Sequence, residues 1–380
     1  MEPLLLTYIT LSDIQGIAIT LSCLFGILSV IVLSLTWLER KALGRLQQRL
    51  GPTRTGPMGL LQPIADAIKL VVKEDILPSS SDKAIFWVAP VIVAVSAFMV
   101  WVTIPVSETL GVRNLELGLL YITAVAVVGI LGLVLAGWGS ANKYGIIGGL
   151  RSAAQLISYE IPIIMVVVSV GMLSQSLDLR VIVADQNPVI YAAILPLGLV
   201  IFFISGLAEV GRTPFDIYHA ESEVVGGPFV EYSGAHWSVF FLAEYINTFA
   251  IATLVTILFL GGWLGPILPG IVWFLIKVYA VVLVVFWIRG TFPRLRIDQL
   301  MSFAWKVMVP LAFYTIVITA VYLFYDLPAW SLTLMSLAGL LVVGYFIYRR
   351  MVAPAKRAAE IRSRQAEQSA RRRADSGIRI

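Results

Sequence analysis

Long apolar stretches alternate along the chain with shorter segments that carry almost all of its charge. An α-helix needs about 20 mostly apolar residues to cross the hydrocarbon core of a bilayer, where it satisfies its own backbone hydrogen bonds. The stretches of about this length are predicted as spans at 14–37, 84–106, 117–138, 154–174, 188–208, 238–260, 269–289, 307–325 and 329–348. The predicted fold class is therefore an all-α polytopic membrane protein with about nine transmembrane helices.

A different pattern follows the first predicted span, at residues 58–73. Its apolar residues fall near one face of a helix: Leu60, Leu61, Ile64, Ile68, Val71 and Val72. Its polar residues fall on the other: Gln62, Asp66, Lys69 and Lys73. This periodicity predicts an amphipathic helix that lies in the membrane interface. A surface helix that only covers the bundle is the alternative for the same pattern.

The composition agrees with a membrane protein. Hydrophobic residues make up 59% of the 380 and charged residues 13%, whereas about a quarter of an ordinary soluble domain is charged. Too little polar surface is left for a water-soluble enzyme that works alone.

We divide the chain into a membrane domain, residues 1–348, and a basic tail, residues 349–380. The membrane domain has an eight-span core at 14–325 and an extra span at 329–348.

Lysine and arginine predict the orientation, because they accumulate on the cytoplasmic side of a membrane protein. Of the 28 such residues, only Arg113 and Arg180 fall in the predicted outer loops. We therefore expect the N-terminus outside and the C-terminus in the cytoplasm. Glu2 and Asp13, rather than a basic stretch, precede the first span, so we expect it to be permanent and not a signal peptide.

The arginine-rich tail suits anionic lipid headgroups or an acidic partner surface. Nucleic-acid binding is not expected.

The cysteine and histidines limit the redox chemistry of the chain. Cys23 is the single cysteine and lies in an apolar span, which excludes a disulfide or a cysteine metal cluster within the chain. His219 and His236 lie in one predicted loop, so no pair on facing spans is available for a haem. In a redox reaction, groups outside this chain would carry the electrons.

Charged residues also fall inside predicted spans: Glu160 in the fourth, Glu244 in the sixth and Lys277 in the seventh. A charge at the bilayer centre costs about 2.5–3.5 kcal/mol on the insertion scale, so such residues normally face a polar interior and mark ion or proton routes. Glu160 and Glu244 lie several residues in from the cytoplasmic end, where snorkelling relieves part of this cost. We interpret both as functional.

The segment 209–237 holds five carboxylates and a single arginine, Arg212. The carboxylates are those of Glu209, Asp216, Glu221, Glu223 and Glu231. Crowded carboxylates repel one another, so we expect at least one to have a raised pKa and to exchange protons near neutral pH. A solvated acidic loop is the alternative, although interleaved apolar residues such as Phe215 argue against it. A third charged segment, 289–306, could anchor helix ends or pair with this acidic loop.

Long motifs follow one another in order along the chain. They are Glu39-Arg-Lys-Ala-Leu-Gly-Arg-Leu-Gln-Gln-Arg-Leu-Gly-Pro52, Gly59-Leu-Leu-Gln-Pro-Ile-Ala-Asp66, Leu150-Arg-Ser-Ala-Ala-Gln-Leu-Ile-Ser-Tyr-Glu160, Thr213-Pro-Phe-Asp216, Val230-Glu-Tyr-Ser-Gly234, Phe241-Leu-Ala-Glu-Tyr-Ile-Asn247 and Phe292-Pro-Arg-Leu-Arg-Ile-Asp-Gln-Leu-Met301. From about residue 14 to 325, the chain resembles the family of the H subunits of bacterial NADH:quinone oxidoreductase, respiratory complex I, which is related to mitochondrial NADH dehydrogenase subunit one.

The resemblance implies a multi-pass subunit of the bacterial plasma (inner) membrane, at the junction between the membrane arm and the hydrophilic redox arm. It implies quinone as the substrate, no cofactor bound by this chain, and FMN and iron-sulfur clusters in partner subunits. Carried over residue by residue, the quinone tunnel and its junction loops would contain Glu39, Arg40, Arg49, Asp66, Asp216, Glu221, Glu223 and Arg294. A chain of buried carboxylates leading toward proton-pumping subunits would begin with Glu160, Glu209 and Glu244.

Some positions depart from the family pattern. His219 stands where relatives usually carry a glutamate, and Gly211 where they carry asparagine; an imidazole titrates nearer neutrality than a carboxylate. The ninth span and the tail lie outside the core pattern of eight spans. His219 leaves open an equivalent subunit in a related membrane complex with another electron donor, of hydrogenase or ferredoxin type. A secondary transporter is less favoured, because no inverted repeat with interrupted helices is visible.

Overall fold

Within the residues that it describes, 11–217 and 221–349, the computed structural model consists of helices and their connections. The side chains of residues 11–14, 221–222 and 346–347 lie outside this description, as do His219 and residues 350–380 of the predicted tail. The α-helices, numbered in chain order, are α1 (Leu11–Leu46), α2 (Gln62–Val72), α3 (Lys83–Val100), α4 (Gly118–Gly139), α5 (Lys143–Ser174), α6 (Leu179–Asp185), α7 (Tyr191–Ile194), α8 (Pro196–Val210), α9 (Glu221–Val224), α10 (Gly234–Phe259), α11 (Gly270–Thr291), α12 (Ile297–Phe303), α13 (Val309–Phe324) and α14 (Ala329–Ile347). A π-helix, Ala304–Met308, joins α12 to α13.

Seven helices of the described residues are long and apolar enough to cross a membrane, and they match seven of the predicted spans. They are α1, α3, α4, α5, α10, α11 and the continuous run from α12 to α13. The other two predicted spans form apolar helices whose fully described parts are shorter, Pro196–Val210 of α8 and Ala329–Tyr345 of α14. The predicted class, an all-α polytopic membrane protein, is confirmed.

The predicted span 188–208 is interrupted near its start. Leu195 has φ −126° and ψ 61°, which separates α7 from α8. The next residue is Pro196, which lacks an N–H and disfavours the helical conformation at the residue before it. The helix therefore restarts at Pro196 instead of running on from residue 188.

Several helices extend beyond the apolar stretches that predicted them. α1 continues past the predicted end at 37 and has 36 residues, a length of about 54 Å at 1.5 Å per residue. α5 begins at Lys143 instead of 154, and α10 begins at Gly234 instead of 238. His236, predicted in a loop, therefore lies in the first turn of α10. Hydropathy detects only the apolar part of such helices, whereas their hydrogen bonding continues through the polar turns.

The described connections on one side of the bundle, with the short helices that they contain, form what we call the loop face: residues 47–82, 140–142, 211–217, 221–233 and 292–296. The N–H of Leu295 donates to the carbonyl oxygen of Pro214 at 3.0 Å, which joins two of these connections, and the N–H of Asp82 donates to that of Gly139, at the end of α4, at 3.1 Å. The N–H of Ile76 also donates to the Ser233 hydroxyl, at 3.1 Å. Hydrogen bonds thus tie these connections to one another and to the helix ends.

The predicted amphipathic helix corresponds to α2. Its apolar face is exposed, with Ile68 59% and Val72 77% accessible. Asp66, on its polar face, is turned toward Arg40 of α1. A helix that only covered the bundle would bury its apolar face, so the arrangement favours the interfacial location, where that face contacts lipid.

Lys277 of α11 holds the turn that follows α10. Its ammonium donates to the carbonyl oxygens of Leu260, Gly262 and Leu264 at 2.7, 3.1 and 2.8 Å. α10 ends at Phe259, and the carbonyls at the end of a helix lack donors within the helix and favour a cation. Lys277 therefore has a structural role here.

Replacing Lys277 with methionine is expected to destabilise the protein by about 1.5–3 kcal/mol, the range for a hydrogen bond to a charged group. The carbonyl oxygens that Lys277 contacts lose their donor, which lowers the midpoint of thermal unfolding of the detergent-solubilised protein. Lys83→Met, at the exposed first residue of α3, is the control and should leave the midpoint unchanged. An equal loss in both variants would contradict the capping role of Lys277.

Candidate functional site

A cavity of about 920 Å³ lies beneath the loop face, beside the ends of α8, α10 and α11. One part of its wall is aromatic and contains Phe229, Tyr232, Trp237 and Phe241. Another part is charged and contains Arg212, Asp216, Glu244, Arg289 and Arg294. Small-molecule sites usually measure about 300–1,000 Å³, so this space is large enough for an organic ligand.

Glu39, a predicted site residue, lies in a buried ion-pair cluster at this wall. Its carboxylate accepts a hydrogen bond from the Tyr245 hydroxyl at 2.6 Å, pairs with Arg289, and lies 3.8 Å from Nη1 of Arg212. Nε of Arg212 lies 3.2 Å from Oε1 of Glu244. The Arg212 guanidinium also covers the Tyr245 ring, 4.3 Å from its centroid. We call these residues, Glu39, Arg212, Glu244, Tyr245 and Arg289, the Arg212 cluster.

Arg212 holds two carboxylates together where water hardly reaches, since the residue is only 4% exposed. Burial alone would lower the pKa of its guanidinium, but the carboxylates of Glu244 and Glu39 more than offset this and leave the pKa raised. Arg212 therefore stays protonated. Removing one partner from a buried ion pair is strongly destabilising, because it leaves a buried charge uncompensated.

A sharp turn after α8 brings Arg212 to this wall. Gly211 ends the helix with a φ of +70°, a left-handed conformation that glycine adopts without a steric penalty. The N–H of Arg212 then donates back to the carbonyl of Leu207 at 3.3 Å. Gln155 of α5 fixes the same turn, because its buried side-chain amide donates to Ala208 O and Phe215 O at 2.7 and 2.8 Å.

Two predicted site residues of the acidic segment pair with separate arginines. Asp216 pairs with Arg294 at 3.0 Å, and Glu223 pairs with Arg151 at 2.6 Å. The first pair joins the acidic segment to the 289–306 segment, which is one of the two arrangements expected from the sequence. The side chain of Glu221 lies outside the described residues.

The expected crowding of carboxylates is therefore not found among the described side chains of this segment. Glu231 accepts a hydrogen bond from Asn142 at 2.6 Å, and Glu209 lies on α8. The segment packs tightly on α5, where a Cβ atom on Gly148 would lie 2.4 Å from Cα of Gly227. Asp216, Glu223 and Glu231 therefore each have a separate partner.

The remaining predicted tunnel residues lie at the junction of α1 and α2. Arg40 donates to Asp66 Oδ2 at 2.5 Å. Arg49 is exposed, and its Nε donates to Gln47 Oε1 at 2.7 Å. The structure therefore does not bring Arg49 to the Arg212 cluster. Glu39 and Arg40, although adjacent in sequence, contact the cluster and α2 respectively.

Two smaller cavities lie among the helices, and the first shares Glu244 with the Arg212 cluster. The first, of about 60 Å³, has Glu209, Glu244 and Asn247 in its wall. The second, of about 70 Å³, has Glu160, Glu209 and Asn247 in its wall. Because Glu244 also lines the large cavity, each cavity shares a polar wall residue with the next. Glu244, Glu209 and Glu160 thus line one series of spaces that have room for water.

Sequence reasoning did not assign four residues of this arrangement: Arg212, Tyr245, Arg289 and Asn247. Arg212 could have been found from the sequence, since it is the single arginine of an acidic segment. So could Asn247, because it follows Glu244 by three positions and so shares its helix face. No sequence pattern indicated Tyr245 or Arg289, because their partner Glu39 lies 206 and 250 positions away.

The side chains of the site suit hydrogen bonding to a ligand and the movement of protons. Guanidinium and phenol groups donate hydrogen bonds to carbonyl oxygens, and carboxylates bind and release protons. Within the described part of the chain, no group of three His, Cys, Asp or Glu residues is placed to hold a metal ion.

Known proteins match most of this chain, and a family model matches the part that contains the site. A family described as NADH dehydrogenase matches residues 19–320. The H subunit of the NADH-quinone oxidoreductase of Dehalococcoides mccartyi (strain CBDB1) is 46% identical over 297 residues, 78% of this chain and 84% of the relative. The protein of the same name from Brevibacillus brevis is 49% identical over 296 residues, covering 76% and 88%. The one from Bacillus cereus (strain B4264) is 46% identical over 311 residues, covering 80% and 92%.

Proposed function

Because this chain belongs to the NADH dehydrogenase family and is similar to the H subunits of NADH-quinone oxidoreductases, we propose that it forms much of the quinone site of a proton-translocating complex and begins its proton path. It is a multi-pass membrane subunit of this oxidoreductase and is not catalytic alone. The observation that carries the finer proposal is that Glu244 lines both the large cavity and the first small one. A substrate site is thereby adjacent to a series of carboxylates.

The large cavity is the proposed place of the quinone headgroup. A quinone is a flat ring with carbonyl oxygens, so it needs aromatic walls and hydrogen-bond donors. Trp237 and Phe241 supply aromatic surface, and Arg294 supplies a donor that Asp216 holds in place. The isoprenoid tail would reach the lipid past α1 and α2, where the apolar face of α2 is exposed.

The residues on the loop face have a separate proposed role. The loop face is where the hydrophilic subunits would dock, bringing the last iron-sulfur cluster to the headgroup. Glu221, Glu223 and Arg49 are proposed as junction residues of this face. FMN and the clusters would belong to the partners and not to this chain. The lysine and arginine distribution supports a loop face in the cytoplasm and an N-terminus outside the bacterial plasma membrane.

The two small cavities are the proposed start of the proton path. About 10–15 Å³ of such space holds one water molecule, so cavities of about 60 and 70 Å³ can hold water between the carboxylates. Quinone reduction consumes protons and changes the charge beside Glu244. Protons would then move along Glu244, Glu209 and Glu160 through these waters. Arg212 and Glu39 would hold Glu244 at the entrance of the series.

Gentle purification tests the proposal as a whole. A tagged chain, isolated from its own membranes in mild detergent, should bring down subunits that contain iron-sulfur clusters together with NADH-driven quinone reductase activity. Mass spectrometry identifies the soluble partners. Recovery of the chain alone with full activity would contradict the proposal, and partners of hydrogenase or ferredoxin type would contradict NADH as the donor.

Asn247→Leu is expected to lower proton transport about tenfold, the effect of losing one hydrogen bond of about 1.4 kcal/mol to water. Leucine leaves Glu209 as the polar side chain that both small cavities share, so water is held less well between the carboxylates. Proton uptake into vesicles, measured per NADH oxidised, reports the effect. Asn247→Ser keeps a hydroxyl and should stay near the wild-type value, whereas equal losses in both variants would assign Asn247 a packing role only.

A further inference from the structure

A separate apolar cavity lies between α13 and α14, away from the proposed quinone site. It measures about 420 Å³ and is lined by residues 306–314 and 338–343. Its walls include Val307, Leu311, Ala338, Val342 and Val343. We call this cavity the α14 groove. The family match ends at residue 320, before α14 begins, so the groove combines a family helix with one outside the match.

One cation stands at the loop-face end of the α14 groove. Lys306 is exposed, belongs to the π-helix and lines the groove. In the described ranges, it forms no ion pair with a carboxylate. None of the described residues that line the groove is acidic. A negatively charged ligand group at this end could therefore pair with Lys306 without competing with a described carboxylate.

Aromatic residues indicate the depth of this end in the membrane. Trp305, next to Lys306, is 51% exposed and donates its indole N–H to the Ser158 hydroxyl at 3.2 Å. Tyr345 and Tyr348, at the corresponding end of α14, are 60% and 49% exposed. Tryptophan and tyrosine concentrate at the level of the lipid headgroups. Lys306 is thus at headgroup depth, and the groove extends from it toward the acyl chains.

The far end of the groove is closed by a contact between helices. A Cβ atom on Gly339 would lie 2.8 Å from Tyr314 Cε1 and 3.0 Å from Leu197 Cδ2. The Tyr314 hydroxyl also donates to the carbonyl of Met335 at 3.0 Å. From Lys306 to Tyr314, the groove extends along the helix axis by about 12 Å, at 1.5 Å per residue. Among the described residues, Lys306 is the charged side chain in the wall of this elongated apolar space.

We propose that the α14 groove binds an acyl chain of an anionic phospholipid, with the phosphate at Lys306. The elongated apolar walls match an acyl chain, and the unpaired ammonium at headgroup depth matches a phosphate that carries net negative charge. A zwitterionic lipid presents a neutral headgroup and gains less from Lys306. The bound lipid fills the space between α13 and α14 and so holds α14 on the bundle. This site does not depend on the proposed quinone site.

Photo-crosslinking of the purified complex tests this proposal. The complex is placed in phosphatidylcholine vesicles that contain a small fraction of phosphatidylglycerol with a diazirine in its acyl chain. After illumination, label is expected on residues 306–314 and 338–343, as read by peptide mass spectrometry. Lys306→Gln should reduce this label about fivefold, the contribution of one basic residue near an anionic surface. Lys83→Gln, at an exposed lysine outside the groove, should leave the label unchanged.

Two further measurements distinguish the effect of the lipid charge on binding from the effect of the groove shape. Diazirine-labelled phosphatidylcholine should label the groove several-fold less than the anionic probe. Ala338→Phe fills the groove without removing Lys306 and should reduce labelling by both lipids, while quinone reductase activity shows that the variants are assembled. Equal labelling by the two lipids, or of the wild type and Lys306→Gln, would overturn the proposal. Cross-links from these residues to a partner helix in place of lipid would also overturn it.

Discussion

Replacing Arg212 with methionine is expected to destabilise the subunit by about 3–5 kcal/mol, the cost of leaving a buried charge without its partner. The carboxylates of Glu39 and Glu244 share this cation. Glu39, only 4% exposed, would keep Arg289 and Tyr245 as partners, whereas Glu244 would lose its ion pair with Arg212. Such a loss is a large fraction of the stability of a typical protein. Blue-native electrophoresis and membrane quinone reductase activity should therefore show little assembled complex.

Arg294→Met is the matched control, because it removes an arginine from an ion pair in the wall of the same cavity. The side chains of Arg294 and Asp216 are 34% and 22% exposed, and exposed pairs contribute about 0–1 kcal/mol. Assembly should stay near the wild-type amount even where activity falls. Adding Glu244→Gln to Arg212→Met should restore part of the assembly, because it removes one uncompensated charge. Equal assembly of the two single variants would contradict the central role of Arg212.

Local requirements of the membrane explain why most helices could be predicted. The apolar stretches predicted α4, α11 and α13 to within two residues at each end, because the bilayer demands a run of apolar residues at each crossing. The break at Leu195 and the extension of α1 to Leu46 were missed. Hydropathy averages over a window, so it records neither a single backbone angle nor a polar turn.

Long-range contacts explain which parts of the candidate site could not be predicted. Glu160, Glu209 and Glu244 carry a signal in the sequence, because a carboxylate is unusual in or beside an apolar stretch. The pairing of Glu39 with Tyr245 and Arg289 carries none, because it joins residues more than 200 positions apart. Assigning residues by motif also grouped Arg49 with its neighbours, whereas its side chain contacts Gln47.

Glutamine at position 160 or 244 is expected to lower quinone reductase turnover and coupled proton transport about 10²-fold, while the complex still assembles. Glutamine keeps the shape of glutamate but cannot bind and release the proton, and a positioned proton-transfer group contributes about 10²–10⁴ in rate. Assembly survives because a neutral amide is less costly to bury than a carboxylate. In Glu244→Gln, Arg212 keeps Glu39 as an anionic partner.

Glu231→Gln is the control for these variants, because Glu231 pairs with Asn142 and lines neither small cavity. NADH-driven quinone reduction and proton uptake, measured in the same vesicles, should both stay near wild type. The two positions also differ from each other, since Glu244 lines the large cavity and Glu160 only the second small one. If proton movement limits the rate of quinone reduction, Glu160→Gln slows the reduction although Glu160 does not line the large cavity. Unchanged rates in both Glu160→Gln and Glu244→Gln would remove these carboxylates from the proton route.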